Sequence, residues 1–475
     1  MNIQRENIVE FIFKLIILFI LVQPMFDFLS FLNIRGIIPM GISTYLKPLF
    51  VFGVGLVLML VTTKKRKIWF LYWMIFLVYT AAHCFMLLRV DVSMSNVLHE
   101  LRFMVNIMYM NMFFMDLWMV YHNLEDKKVF LEKMKKALFY VVIIFSVIVI
   151  ITSVLGIASR TYEYSDANKL GLKGVFDSGQ ILGHTLSVLY LFILNYLQEK
   201  EMKWWLKVVV LSMPTVVMWN LGTKVPYYMV IICSTVYVVM NLFLAIVNKQ
   251  KVSKFIALPM GIAVIMLVTL QYSPVHYNTV LNQSVLQVGV DNYDLEKISG
   301  KDEKNTTLNH GDRNLTPAEE FQLISELSSE YINEKFLSGE IHPSNQRAKQ
   351  RAYNWKKYEL SGIEYKLMGI GYLSDDSSLA LESDVLMTVF SFGIVGFTLM
   401  LGLVIVAAIK EGIYMLSHIN RLDKLSCCCI ISFFEFLCIS YMAGYTYIYT
   451  NFSIYLVCIL FVLKARIAEI KTNRL

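Results

Sequence analysis

The stretch SNQRAKQRAYNWKKYELSGIEYKLMGIGYLSDDSSLALESD, from Ser344 to Asp384, ends the only long polar region of the chain, which begins near Ser273. Hydrophobic runs lie on both sides of that region, so the fold turns on how it connects them. After Ser344 the pattern predicts a helix. Arg347 and Arg351, four residues apart, share one face of it, and Ala348, Ala352 and Trp355 line another. Gly362 and the glycines of Gly369-Ile370-Gly371 are expected to end the helix and turn the chain. Arg347 to Lys357 is a basic island in an otherwise acidic region, and Glu382 and Asp384 stand where the chain re-enters an apolar run. Upstream, Thr316-Pro317-Ala318-Glu319 combines an N-cap, a proline at the first helical position and a capping-box glutamate. Phe321, Ile324, Leu327, Tyr331 and Leu337 follow near helical spacing, whereas 291–312 is polar and aperiodic and reads as a mobile or disordered lid.

Outside this region the chain is written for a bilayer. Of its 475 residues 57% are hydrophobic and 17% charged, against about 25% charged in a soluble domain. Apolar runs of spanning length lie near 8–32, 41–62, 68–89, 97–121, 137–158, 179–197, 203–220, 225–247, 255–272, 385–409, 426–446 and 448–464. The first is longer than the core of a signal peptide and reads as a retained helix. The expected architecture is all-α, a polytopic membrane protein of about twelve transmembrane helices with one large, partly helical extracellular loop. It divides into 1–272 (nine helices), 273–384 (the loop) and 385–475 (three helices and a tail). The seven cysteines all lie in apolar segments and make neither a metal-ligand spacing nor a disulfide framework.

Lysine and arginine set the orientation. One set of loops holds 64–67, Lys127, Lys128, Lys133, Lys135 and Lys136, then Lys200, Lys203, Lys249, Lys251 and Lys254, then Lys410, Arg421 and Lys424. The alternate loops hold only Arg35, Arg89, Arg160, Lys169, Lys173 and Lys224. Both termini are therefore expected in the cytoplasm and the large loop outside. The net charge of +7 is spread over these loops and points to no nucleic acid.

Ionisable residues inside spans mark a site by default, although each taken singly also reads as an interhelical pair. Asp27, Lys47, His83, Glu100, Arg102 and His184 fall near one membrane depth, with Gln180 on the face of His184, while Glu435 is mid-span. Cations expected on the outer side, Arg160, Lys169, Lys173, Lys224, Arg347 and Arg351, suit a diphosphate, Arg by bidentate contacts and Lys as a point charge. Glu382 or Asp384, at a partly dry interface, suits a general base. Walker, dinucleotide, zinc-protease and serine-hydrolase motifs are missing, so energy must arrive stored in the substrate. No metal or cofactor is expected.

Arg347 or Arg351, Gly369-Ile370-Gly371, Glu382-Ser383-Asp384 and Gly393-Ile394-Val395-Gly396 in the SFGIVGF run occur in this order after a large loop. In this the chain resembles the O-antigen polymerase and ligase superfamily, and among its members a bacterial polysaccharide polymerase most. Polymerases of this kind carry arginine, ten residues and glycine in two outer loops; here Arg160 to Gly171 and Arg351 to Gly362 repeat that spacing. Lys224 and Glu382 stand where ligases commonly have Arg and His, which favours the polymerase. The resemblance implies a donor glycan on undecaprenyl diphosphate, held by Arg160, Lys224, Arg347 and Arg351. Glu382, or else Asp384, activates the acceptor hydroxyl, Arg351 assists the departing diphosphate, and the transfer is inverting and metal-independent. His184, Gln180 and Tyr358 are pocket-lining candidates; Tyr353, Trp355 and Tyr358 are candidates to stack on sugars. Implied partners are membrane lipid and a chain-length regulator and flippase of the same pathway. A ligase acting on another acceptor, a lipid-linked oligosaccharide flippase and a ligand-binding receptor are the rival readings.

Overall fold

The computed structural model describes residues 2–38, 41–90, 94–163, 168–247, 249, 251–291, 316–342, 345–371, 381, 383–444 and 446–472. Every one of the twelve expected apolar segments is helical. The helices are α1 (Asn2–Ile34), α2 (Ile42–Val61), α3 (Arg66–Arg89), α4 (Met94–Asn123), α5 (Lys127–Val154), α6 (Gly179–Glu199), α7 (Trp204–Asn220), α8 (Lys224–Val247) and α9 (Ala257–Val268). After α10 (Pro274–Asp291), α11 (Pro317–Leu337), α12 (Gln346–Leu360) and α13 (Ile363–Met368) come α14 (Asp384–Leu416), α15 (Lys424–Met442) and α16 (Thr450–Thr472). Among the described residues nine helices are long and apolar enough to cross a membrane: α1 to α6, α8, α14 and α15. The other three expected spans are α7, with 17 residues, α9, with 12 residues between two 3-10 turns, and α16.

The chain falls into two compact units, Met1–Tyr72 with Val105–Val280 and Leu401–Leu475, and Trp73–Met104 with Leu281–Met400. In the first unit α6 is buried along nearly its whole length, packed by α5, α7, α8, α15 and α16. That explains its composition: with protein on every side, it carries Leu, Val, Tyr and Phe all round rather than on a stripe. Helix starts follow local chemistry. Asp126 accepts from Lys128 and Val129 N–H, Ser178 from Ile181 N–H and Asp423 from Ser426 N–H.

In the second unit the predicted capping box of Thr316 and Glu319 starts α11. Helix α12 begins one cap after the predicted point, at Asn345, and ends before Gly362, which instead caps the start of α13. Its buried face is Gln350, Tyr353 and Lys357, turned toward α11. Tyr353 packs with Ile332, Phe336 and Ala352, which corrects the expectation that its ring is offered to a sugar. Residues 292–315, most of the expected lid, lie outside the described residues.

Candidate active site

In the first unit α5 ends at a short antiparallel hairpin, β1 (Ser159–Arg160) and β2 (Leu172–Gly174). Beside it lies a cleft of about 340 Å³ whose lining includes Arg35, Ser159, Arg160, Tyr162, Glu163 and Lys169. The charges divide into two groups. Arg35 pairs with Glu163 and donates from Nη2 to Ser159 Oγ at 2.9 Å. The buried Lys173 Nζ is 4.0 Å from the same glutamate and donates to the Asp177 carbonyl at 2.6 Å. Glu163 is thus met by two cations. Arg160 and Lys169, in contrast, have no carboxylate partner among the described residues; Lys169 Nζ rests 5.0 Å from the centre of the Tyr162 ring. Among the described residues the cleft therefore carries more positive than negative charge, which suits an anion. Burial pushes the Asp177 carboxyl up, against the pull of Lys173 and Lys47, and burial pushes the Lys173 amine down.

The loop that carries Arg160 and Lys169 is fastened to the turn that carries Lys224. Asn278 of α10, itself buried, accepts from Leu170 N–H at 2.7 Å and donates to Leu170 O at 2.7 Å and Gly222 O at 2.9 Å. Two carbonyls need a donor and one N–H needs an acceptor, so the network fixes which way the amide faces. Gly171 at φ 137° and Gly222 at φ 70° lie where the two loops cross. A Cβ on Gly171 would overlap the Leu221 carbonyl, and one on Gly222 the Leu170 carbonyl. Tyr162 Oη adds a long hydrogen bond to Gly222 O, 3.4 Å. Two of the predicted diphosphate ligands, Arg160 and Lys224, thus stand on backbone segments in direct contact.

In the second unit Arg347 and Arg351 are exposed on α12. Trp355 and Tyr358 of the same helix set their rings 6.0 Å and 5.0 Å from Phe390 of α14, so Tyr358 is partly occupied by packing while Trp355 is 61% exposed. Asp384 is buried at the first position of α14. Glu382, the other candidate base, lies outside the described residues.

The glycine pairs interlock. Helix α14 breaks at Gly393, φ 65° and ψ −178°. The break releases the Phe390 and Ser391 carbonyls, which accept from Ile370 N–H at 2.9 Å and Gly371 N–H at 3.0 Å. A Cβ on Gly369 would overlap Ser391 O, and one on Gly393 would overlap Leu367 O. Tyr79 Oη closes the break by donating to Phe392 O at 2.6 Å, with Met368 O at 3.2 Å. His83 places Nδ1 2.8 Å from Met368 O and Nε2 3.2 Å from Glu100. An opened backbone inside a membrane helix needs such partners.

Within each unit, members of the intramembrane polar set form local partnerships. Lys47 lies 3.5 Å from Asp27, His83 meets Glu100, and Cys233 Sγ lies 3.6 Å from Glu435. Asp27, Lys47 and His184 belong to the first unit, and His83, Glu100 and Arg102 to the second. His184 is buried in α6, and Gln180, one turn earlier, is half-buried. Residues that sequence reasoning passed over are Asn278, Glu163, Tyr162 and Tyr79. Arg35 had been counted only for its charge.

The family model described as O-antigen ligase like membrane protein matches residues 9–471. No curated protein matches the chain.

Proposed function

The chain belongs to the O-antigen ligase-like membrane protein family and is a membrane glycan-processing enzyme; within that family we propose that it is a polysaccharide polymerase. In this reading it moves a growing glycan from undecaprenyl diphosphate to the end sugar of a second lipid-linked repeat unit, at the outer face of a bacterial plasma membrane. Both termini are then cytoplasmic and the 273–384 region is extracellular. The observation that most supports it is the Asn278 tie, by which Arg160 and Lys169 share a fixed neighbourhood with Lys224. Loops that only solvate lysines need no such fastening.

The chemistry follows from charge. A diphosphate leaving group gains negative charge as the glycosidic bond breaks, and preset cations stabilise that charge without reorganising. Arg160, Lys224, Arg347 and Arg351 are assigned this work, Arg351 at the scissile end. Glu382, or Asp384, takes the proton from the acceptor hydroxyl, which attacks the anomeric carbon as the diphosphate departs from the opposite side. The product is inverted and no metal is required.

The family description keeps a ligase that uses another acceptor as the second reading. Incubating the purified protein with a single lipid-linked repeat unit tests both. A ladder of products supports the polymerase. Transfer only to an added foreign acceptor supports the ligase, and no transfer in either case removes both proposals.

A further inference from the structure

The lysine-rich ends of the helices in the first unit hold a second gathering of charge, which glycan transfer does not use. Lys65 lies in the turn before α3, Lys127 begins α5, and Lys464 is on α16. Their amines converge on two rings one turn apart on α4. Lys464 Nζ is 5.6 Å from the centre of the Trp118 ring, 5.4 Å from Tyr121 and 5.5 Å from Phe461. Lys65 Nζ is 4.9 Å from Trp118, and Lys127 Nζ is 4.7 Å from Tyr121. All three lysines are half-buried, whereas Lys64, Lys67 and Lys128 beside them are exposed. A snorkelling lysine extends its amine to water; these fold back over aromatic faces.

The arrangement is costly as it stands. None of the three amines has a carboxylate within ion-pair distance among the described residues. Among the described residues, Lys464 feels the attraction of Glu411 against the repulsion of Lys410, Lys65 and Lys127. Lys65 has φ 72°, a backbone conformation unfavourable for a residue with a side chain, and strain of this kind gathers at ligand clamps. Lys127 is partly committed, donating to the Tyr121 and Leu124 carbonyls at the end of α4. No comparable acceptor meets Lys65 or Lys464 among the described residues.

We propose that this cluster binds the phosphate of an acidic phospholipid, with Lys65 and Lys464 on the phosphate oxygens and Lys127 behind them. A lipid source fits the position, at the ends of spanning helices, where Trp and Tyr lie at headgroup depth and basic pockets between helices take anionic headgroups. This inference does not depend on the polymerase reading.

The test uses the full-length protein, purified and delipidated in a neutral detergent. Cardiolipin, phosphatidylglycerol, phosphatidylcholine and inorganic phosphate are titrated separately, with binding read by native mass spectrometry and by the thermal unfolding midpoint. The acidic lipids are expected to bind and to raise the midpoint, and phosphatidylcholine to do neither. Lys65→Gln and Lys464→Gln should each weaken acidic-lipid binding about fivefold, from roughly 1 kcal/mol per lysine. Lys464→Arg should retain binding, Lys67→Gln should change nothing, and Glu411→Gln should tighten it. Equal binding of phosphatidylcholine, or unchanged affinity in the Lys65→Gln, Lys464→Gln double variant, would overturn the site. Displacement of the lipid by millimolar inorganic phosphate would overturn the lipid as its occupant. If Lys464→Gln fails to fold, Lys65→Gln carries the same comparison from outside the helices.

Discussion

Replacing Asn278 by alanine separates the docking of two loops from the stability of the helices around them. The side chain makes three hydrogen bonds, two to Leu170 and one to Gly222, and is 4% exposed. A neutral hydrogen bond is worth about 1 kcal/mol net, and a buried group left unmet costs about 1–3 kcal/mol. Leu170 is exposed, so water can meet its peptide once the amide is gone; Gly222 is buried and its carbonyl loses more. The sum is about 2–4 kcal/mol of docking energy, a factor of roughly 30 to 1,000 in the ratio of docked to undocked loop. That factor bounds the rise in KM for the proposed lipid-linked donor, because only the docked loop holds Arg160 and Lys169 against the Lys224 turn. The kcat at saturation should stay within a few-fold. Asn278→Asp keeps the shape and still accepts from Leu170 N–H, yet it sets a carboxylate against two carbonyls with no hydrogen to give. It should be weaker than Asn278→Ala. Steady-state transfer assays on detergent-purified protein give both constants, and a thermal melt of the same samples checks the fold. A wild-type KM in Asn278→Ala would refute the claim that this tie assembles the cation site.

Three further outcomes follow from the same geometry. Arg351→Ala should abolish long glycan chains at normal protein levels, since a charged hydrogen bond to phosphate is worth about 1.5–3 kcal/mol; normal chain lengths on a gel would remove it from the site. Glu382→Gln should lower kcat by about 10²–10⁴ with donor binding retained, and retained turnover would pass the base role to Asp384. Gly369→Ala forces a side chain into φ 97° and onto the Ser391 carbonyl. It should lose folded protein as judged by size-exclusion chromatography, whereas Gly261→Ala, which has open space around it, should not.

The helices were legible because bilayer length and local caps write themselves into short windows of sequence. The capping box at Thr316 and Glu319 is complete within four residues, and it appears as expected. What could not be read are contacts whose partners lie far apart. Glu163 finds Arg35, and Asn278 finds Leu170, across more than a hundred residues, and Asn278 finds Gly222 across 56. No period or spacing encodes such meetings. The buried face of α12 escaped for another reason. It consists of Gln350, Tyr353 and Lys357, and a search for apolar periodicity passes over a face that is mainly polar. The intramembrane ionisable set looked like one constellation because membrane depth was all the sequence supplied. Within each unit the structure shows local pairs, Asp27 with Lys47 in the first and His83 with Glu100 in the second.

The two matches to the arginine–ten–glycine spacing are identical as strings and differ as physics. Gly171 sits at φ 137°, and an added Cβ would collide with the Leu221 carbonyl. The glycine is required there by the crossing of two loops, the same crossing that Asn278 fastens. Gly362 sits at φ −62°, before α13, with its nearest neighbour 3.9 Å from an added Cβ. Any residue can adopt that conformation in that space. Gly171→Ala should therefore raise KM in the same direction as Asn278→Ala. Gly362→Ala should keep both kinetic constants within about twofold, the range of an ordinary surface change. If Gly362→Ala proved as damaging as Gly171→Ala, the second glycine would be meeting something other than its own chain, and a glycan pressed against the start of α13 would be the first occupant to test.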